Sequence, residues 1–343
     1  MSTGSHISSV VRTPNANTRF VSAGPRLEAQ WLDEAYARAI ALDAPPMTAP
    51  GVRLVWCMGE ELGWHDLVAH PRSYAVVGRH TRCDVTLPGD AAVALRHVLV
   101  RATTLDDGTP AVRVLDLRSG LGFHLDDDVE RRAVVATGVL AIRLGRYALI
   151  ALPSQASQAS QASQAELPAT RPPPEVLEAA RMPTLSFGSV GPSGTSGYLP
   201  DRERDRDRIS RSSVTCLPPA PSLDDVARDV AAPGHGKVTL RRGGKWASVE
   251  LTEAALDSGV LVGRADRCEA RLRSVLTESV SRVHLLLLRE HGVVHAFDVA
   301  SMQGVFAAGE RVRRVRLPEQ GGTLRLAARD PVLFEWHPRT AVA

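Results

Sequence analysis

The chain has 343 residues, room for two ordinary domains of about 100 to 200 residues each. Its 41 basic and 38 acidic residues leave a formal charge of +3, too balanced for a nucleic-acid footprint or a polybasic membrane patch, so recognition of any anion has to be local. Hydrophobic residues make up 44% and aromatics only 4%, a Val, Leu and Ala-based composition that suits many short strands.

Cys57, Cys83, Cys216 and Cys268 are scattered with no Cys-x-x-Cys pair, which argues against a disulfide framework or a zinc ribbon and for a reducing compartment. Met1 to Phe20 is rich in Ser, Thr and Asn without the apolar core of a signal sequence, and no apolar run approaches the ~20 residues of a membrane span. The expectation is a soluble, cytoplasmic protein with no membrane or nucleic-acid partner.

In chain order, residues 1–50 read as a polar, disordered N-terminus carrying one short helix at about 26–43. Leu27, Trp31, Ala35 and Ala39 recur at helical spacing, Pro25 opens the first turn, and Pro45 and Pro46 forbid continuation. The spacing predicts a helix that packs on the domain after it, with a partner-binding helix as the alternative. Residues 51–152 form a series of β-like runs, among them Val52 to Trp56, Tyr74 to Val77, Val98 to Val100 and Val112 to Leu117. Alternation in the last is mixed, with Val112, Val114 and Asp116 against Arg113, Leu115 and Leu117. Closely spaced strands with Gly and Asp turns predict a sandwich.

Residues 153–236 read as a low-complexity linker. The triplet Ser154-Gln155-Ala156 repeats through Ala165, Pro172 to Pro174 follow, and Asp201 to Arg208 alternates acid with base. Such a tract buries too little apolar surface to offset the entropy of ordering it. Residues 237–337 form a second β-rich stretch before a tail at 338–343. Gly243-Gly244 separates Val238 to Arg241 from Trp246 to Leu251 as a tight hairpin turn would. Further strands are expected at Val260 to Val262, His284 to Leu288, Val293 to Val299, Thr323 to Ala327 and Val332 to Trp336.

The two β-rich stretches repeat each other. Gly78-Arg79-x-x-Arg82-Cys83-Asp84 aligns with Gly263-Arg264-x-x-Arg267-Cys268-Glu269, His97 with His284 ahead of an apolar run, and Asp116 to Gly122 with Asp298 to Gly304. Gly-Arg, then Ser281-Arg282-Val283-His284, then Asp-x-x-Ser-x-x-Gly resembles the pattern of forkhead-associated (FHA) domains. The fold class expected is therefore all-β: two FHA-like β-sandwiches joined by a long disordered linker, the first copy degenerate.

That resemblance implies apical loops that bind phosphothreonine in an extended peptide. A phosphate dianion calls for fork-shaped cationic donors, which a guanidinium supplies better than an ammonium. Arg264 is the first choice, Ser281 the second donor and Arg282 a supplementary cation. By resemblance His284 holds the loop, Gly263 and Gly304 permit its tight backbone, and the side-chain amide at 303 grips the peptide main chain. Here Gln303 stands where the family has Asn, and Met302 where it usually has Thr. In the first copy Arg79, His97 and Gly122 persist, but Ala94 takes the Ser position and Leu121 the Asn position. Neither can donate a hydrogen bond, so that copy is expected not to bind a phosphopeptide.

Ser281 and His284 lack the strained turn and third group of a hydrolase, so no catalytic residue and no cofactor is expected. Cys57, His65, His70, His80 and Cys83 match no zinc spacing, and Cys83 and Cys268 fit better as small buried residues. Arg202, Arg204, Arg206 and Arg208 are each neutralised by neighbouring acids, so no DNA-binding stripe exists there. The function expected is a phosphothreonine-binding adaptor in Ser/Thr kinase signalling, with a threonine-phosphorylated protein or peptide, or a Ser/Thr kinase, as partner. Linker threonines Thr170, Thr184 and Thr215 add self-docking after phosphorylation as a further idea. The alternative is a phosphate-independent interaction scaffold built from both sandwiches.

Overall fold

The structure, a computed structural model, describes residues 25–47, 49, 51–68, 73–104, 110–127, 129–153, 214–216 and 234–339. Outside them lie the polar segment before Pro25, His70, the Ser-Gln-Ala tract, the proline run, the acid–base run and the linker threonines Thr170 and Thr184.

Helix α1 (Pro25–Ile40) ends three residues short of the expected limit at Asp43. Its buried stripe is Leu32, Ala35 and Ala39, with Trp31 half-buried beside it. These side chains meet Val55, Cys57, Ala148 and Ile150 on the outer face of the first sandwich. Arg38 donates to the carbonyls of Gly59 and Glu60, tying the last helical turns to a hairpin tip.

The first sandwich contains β1 (Gly51–Met58), β2 (Glu61–Val68), β3 (Tyr74–Gly78), β4 (Val85–Thr86), β5 (Val98–Thr104), β6 (Pro110–Asp116), β7 (Phe123–His124), β8 (Glu130–Arg131), β9 (Ala133–Thr137), β10 (Leu140–Leu144), β11 (Tyr147–Pro153) and β12 (Val214–Cys216). The second contains β13 (Gly234–Arg242), β14 (Lys245–Thr252), β15 (Val260–Val262), β16 (Leu285–Glu290), β17 (Val293–Asp298), β18 (Val305–Ala307), β19 (Glu310–Val312), β20 (Arg314–Arg316), β21 (Gly322–Leu326) and β22 (Val332–Pro338). A short α2 (Glu253–Ser258), capped by the Thr252 hydroxyl, and a 3-10 turn (Ala270–Val275) sit in its connections.

Topology carries the repeat further than the motifs do. One sheet of the first sandwich runs β2-β1-β11-β10-β7-β8, and its counterpart runs β14-β13-β22-β21-β18-β19. The opposing sheets run β12-β9-β6-β5-β3-β4 and β15-β16-β17-β20, so β3, β5, β6 and β9 correspond to β15, β16, β17 and β20. Strand β12 falls inside the stretch expected to be linker. Val214, Thr215 and Cys216 pair with Ala136, Val135 and Val134 along the edge of β9. A short β-branched run beside an unpaired edge has backbone hydrogen bonds to gain there, so Thr215 belongs to a sheet and not to an open tether.

Each sandwich has its own core, one built around Leu54, Val77, Val100 and Phe123, the other around Leu240, Val262, Leu287 and Phe334. A third apolar cluster joins them. Tyr74, Val76, Leu99, Leu115 and Leu117 from the first sandwich meet Leu261, Leu286, Leu288, Phe297 and Val299 from the second. Strands β5, β6, β15, β16 and β17 thus bury both faces, which explains the mixed alternation of Val112 to Leu117 and the unbroken run Leu285 to Leu288. Polar contacts frame this layer: Arg101 forms a buried ion pair with Glu290, which Arg314 also contacts at 3.2 Å, and Arg313 pairs with Asp84 at 2.8 Å. No helix among the described residues is long and apolar enough to cross a membrane.

Candidate functional site

At the start of the second site, strand β15 ends at a glycine because nothing larger fits. A Cβ on Gly263 would lie 2.3 Å from the carbonyl oxygen of Arg282, and one on Gly78 would lie 2.6 Å from that of Leu95. This close approach lets Arg264 N–H donate to Ser281 O at 3.4 Å and Ala265 N–H to Arg282 O at 2.8 Å. Arg264 therefore emerges beside Ser281. Its Nε donates to the carbonyl of Val280 at 2.7 Å, pinning the exposed guanidinium to the residue before that serine. Its terminal nitrogens make no hydrogen bond to the described residues.

His284 is fully buried and joins two loops. Its Nδ1 accepts the Ser281 N–H at 3.0 Å, so the proton sits on Nε2, which donates to Gly304 O at 2.9 Å. Burial pushes its pKa down to about 4; the Gly304 carbonyl opposes that shift, while Arg96 and Arg311 add to it. The ring is neutral at neutral pH and its tautomer is fixed by both contacts. The second loop is folded by its own side chains: Asp298 accepts the Ser301 N–H at 2.8 Å and Ser301 Oγ accepts the Gly304 N–H at 3.0 Å. Finally Ser281 Oγ accepts the Met302 N–H at 2.9 Å, which leaves the hydroxyl proton to donate elsewhere.

Arg264 and Ser281 are thus brought together, with exposed Arg282 next in the chain and half-buried Gln303 on the facing loop. The amide of Gln303 makes no hydrogen bond to the described residues. Gly304 sits at φ +82°, a left-handed conformation that strains any residue with a side chain, and a Cβ there would have to displace the Arg311 side chain 2.7 Å away.

The first sandwich repeats this frame except for the bond between Met302 N–H and Ser281 Oγ. Ala94 N–H donates to His97 Nδ1 at 3.1 Å, His97 Nε2 reaches Gly122 O at 2.6 Å, Asp116 accepts Ser119 N–H at 3.1 Å, and Ser119 Oγ accepts Gly122 N–H at 3.2 Å. Arg79 Nε bonds Val93 O as Arg264 bonds Val280 O. What is missing is chemistry. Ala94 offers no side-chain oxygen, and Leu121 projects an apolar side chain into solvent. Cys83 and Cys268 are likewise matched: each thiol donates to a carbonyl, Leu95 O or Arg282 O, at 3.3 Å, and burial pushes their pKa values up to about 12 and about 11. Among the described residues no three His, Cys, Asp or Glu side chains gather as a metal site would need.

Residues 260–326 match the family model of the FHA domain. This stretch is an FHA domain. It spans every residue of the second site, from Gly263 to Gly304, and an FHA domain is a protein-interaction module, not an enzyme family. Solved structures similar to the chain include the first FHA domain of Rv1747 from Mycobacterium tuberculosis, 26% identical over 30% of this chain and 98% of that one, with a TM-score of 0.24. Others are the FHA domain of CT664 from Chlamydia trachomatis, at 18% identity, 31% and 99% coverage and a TM-score of 0.25, and an FHA domain from Arabidopsis thaliana, at 24%, 33% and 92%, and 0.24. No curated protein matches the chain.

One set of residues around the FHA domain escaped the sequence reading. Arg82, Arg96 and Tyr74, all from the first sandwich, reach the loop that follows Asp298. A signal was available: Arg82 and Arg267 recur in the repeat three residues after the Gly-Arg pair, beyond the positions that the family pattern requires.

Proposed function

We propose that the FHA domain binds phosphothreonine in an extended peptide and that the protein serves as a cytoplasmic adaptor in Ser/Thr kinase signalling. The observation that carries this is the pinning of the Arg264 guanidinium on Val280 O, beside a Ser281 hydroxyl whose lone pair is already occupied by Met302 N–H. One exposed cationic fork and one largely buried O–H donor, fixed in advance at a loop junction, form a receptor for a phosphate dianion. Arg282 adds charge, and the Gln303 amide, unbonded to any described residue, is available to hydrogen-bond a peptide backbone. The partner is a threonine-phosphorylated protein, a Ser/Thr kinase or its substrate. The first sandwich, with Ala94 and Leu121 in place of donors, takes no phosphate.

Calorimetric titration of the full chain with matched phosphorylated and unphosphorylated threonine peptides tests this. Binding of the phosphorylated form about 100-fold tighter is expected from two charge-assisted contacts. Equal affinity for both forms would replace the proposal with a phosphate-independent scaffold.

A further inference from the structure

Three side chains of the first sandwich converge on four backbone carbonyls within a five-residue stretch of the FHA domain. The Tyr74 hydroxyl lies 2.6 Å from Asp298 O and 2.7 Å from Arg313 O and shares its proton between them. Arg96 Nη2 donates to Ala300 O at 2.6 Å. Arg82 Nη1 donates to Met302 O at 3.0 Å and to Ser301 O at 3.4 Å. The loop so held is the one whose Met302 N–H caps Ser281 and whose Gly304 carbonyl receives His284. It also contains Ala300 in the left-handed region, at φ +55°, a conformation that costs a non-glycine residue on the order of 1 kcal/mol and persists only when its surroundings enforce it.

We propose that the first sandwich is a positioning subunit for the FHA domain: through Tyr74, Arg96 and Arg82 it clamps the Asp298–Met302 backbone into the shape that grips a peptide. This rests on the phosphopeptide reading of the site and gives the sandwich without donors its work. A loop that bends sharply at the top of a sandwich leaves carbonyls with no ladder partner, and here the neighbouring domain supplies the donors. Tyr74 is itself fixed for the task. Its ring meets Phe297 edge-on with centroids 5.3 Å apart, and the Arg313 guanidinium lies over its face at 4.8 Å. Tyr74, Arg82 and Arg96 are positioning residues, since each acts on the ligand through the loop.

The reciprocal contact provides the control. Arg267 of the FHA domain donates to Arg118 O at 3.3 Å and to Arg96 O at 3.2 Å, so it fastens the same interface without touching the Asp298–Met302 carbonyls. In the full chain, Tyr74→Phe removes one oxygen while keeping ring and charge, and combining it with Arg82→Ala removes two of the three clamps. The double variant is expected to bind a phosphothreonine peptide about tenfold more weakly, with amide hydrogen exchange at Met302 and Gly304 about tenfold faster, whereas Arg267→Ala stays within about twofold on both measures. Unchanged exchange at those amides in the double variant overturns the clamp. So does a loss of affinity in Arg267→Ala as large as that of the double variant, because it would mean general loosening of the interface. If the wild type binds no phosphopeptide, the functional reading falls on its own, and hydrogen exchange without ligand still decides whether the clamp exists.

Discussion

Arg82 and Arg267 occupy the same position of the internal repeat, and each crosses to the other sandwich. Arg82 donates to Ser301 O and Met302 O, Arg267 to Arg118 O and Arg96 O. The two contacts are counterparts with different consequences. The loop that Arg82 holds faces Ser281 and carries Gln303; the loop that Arg267 holds faces Ala94 and carries Leu121. Equivalent arginines thus cross the interface from both sides, while Ser281 and Gln303 stand on one side only.

The same asymmetry separates the first arginines of the two motifs. Arg264→Ala should lower phosphothreonine-peptide affinity at least about 30-fold, since it deletes charge-assisted hydrogen bonds worth about 2 kcal/mol or more. Arg79→Ala should leave it within about twofold, because Ala94 beside it supplies no second donor. Calorimetry on both variants checks this, and comparable losses would mean that the first sandwich also takes phosphate.

Stability should depend on pH through His284. Its folded pKa is about 4, below the 6.5 of the unfolded chain, so between these values the unfolded state binds the extra proton. Stability from the neutral ring is complete above 6.5, falls as the pH drops through that window, and levels off below about 4; the amount lost is on the order of 3 kcal/mol. Denaturant titrations at a series of pH values should show this slope in the wild type and a shallower one in His284→Gln, where other titrations are common to both. His97, pushed down by burial in the same direction, contributes a second part that remains.

Glu290 is the carboxylate between two guanidiniums, Arg101 from the first sandwich and Arg314 from the second, all three side chains at most 10% exposed. Replacing it with Gln leaves two buried positive charges side by side, both against the Phe297 ring. Glu290→Gln should cost about 3–5 kcal/mol, the usual penalty for removing one partner of a buried pair. Thermal unfolding measures it, and a change below about 1 kcal/mol would show that water reaches this layer.

The second sandwich should not behave well alone. A fragment of residues 234–339 uncovers Leu261, Leu286, Leu288, Phe297 and Val299 on one sheet face, a patch of the kind that drives association. Light scattering should find it self-associated, while Leu286→Glu with Leu288→Lys in the fragment should restore a monomer. A monomeric, soluble unmodified fragment would mean that the two sandwiches need no shared layer.

Much of this was legible in the residues. Glycine followed by arginine marks a backbone approach that tolerates no Cβ, a histidine before an apolar run marks a loop tied down from within, and period-two patterns with Gly-Gly turns mark strands, because each depends on local sterics or on hydrogen bonds a few residues away. The helix, the paired β-rich stretches and the difference between Ser281 and Ala94 were readable for that reason. The single-residue limits of α1 were less so, since fraying at Ile40 is decided by what the last turn packs on.

Composition, repetition and motif spacing determined two β-rich units that share one motif pattern and named the cation and hydroxyl of the candidate site. Only the tertiary structure decided that the units share a buried layer, that Thr215 joins a sheet, and that Tyr74, Arg82 and Arg96 serve a loop some 200 residues further along the chain. The physical reason is that a strand buried on both faces and a side chain bonded to a distant carbonyl leave no periodic trace: a doubly buried strand reads as a plain apolar run, and an arginine reaching a main-chain oxygen selects no residue type in its partner.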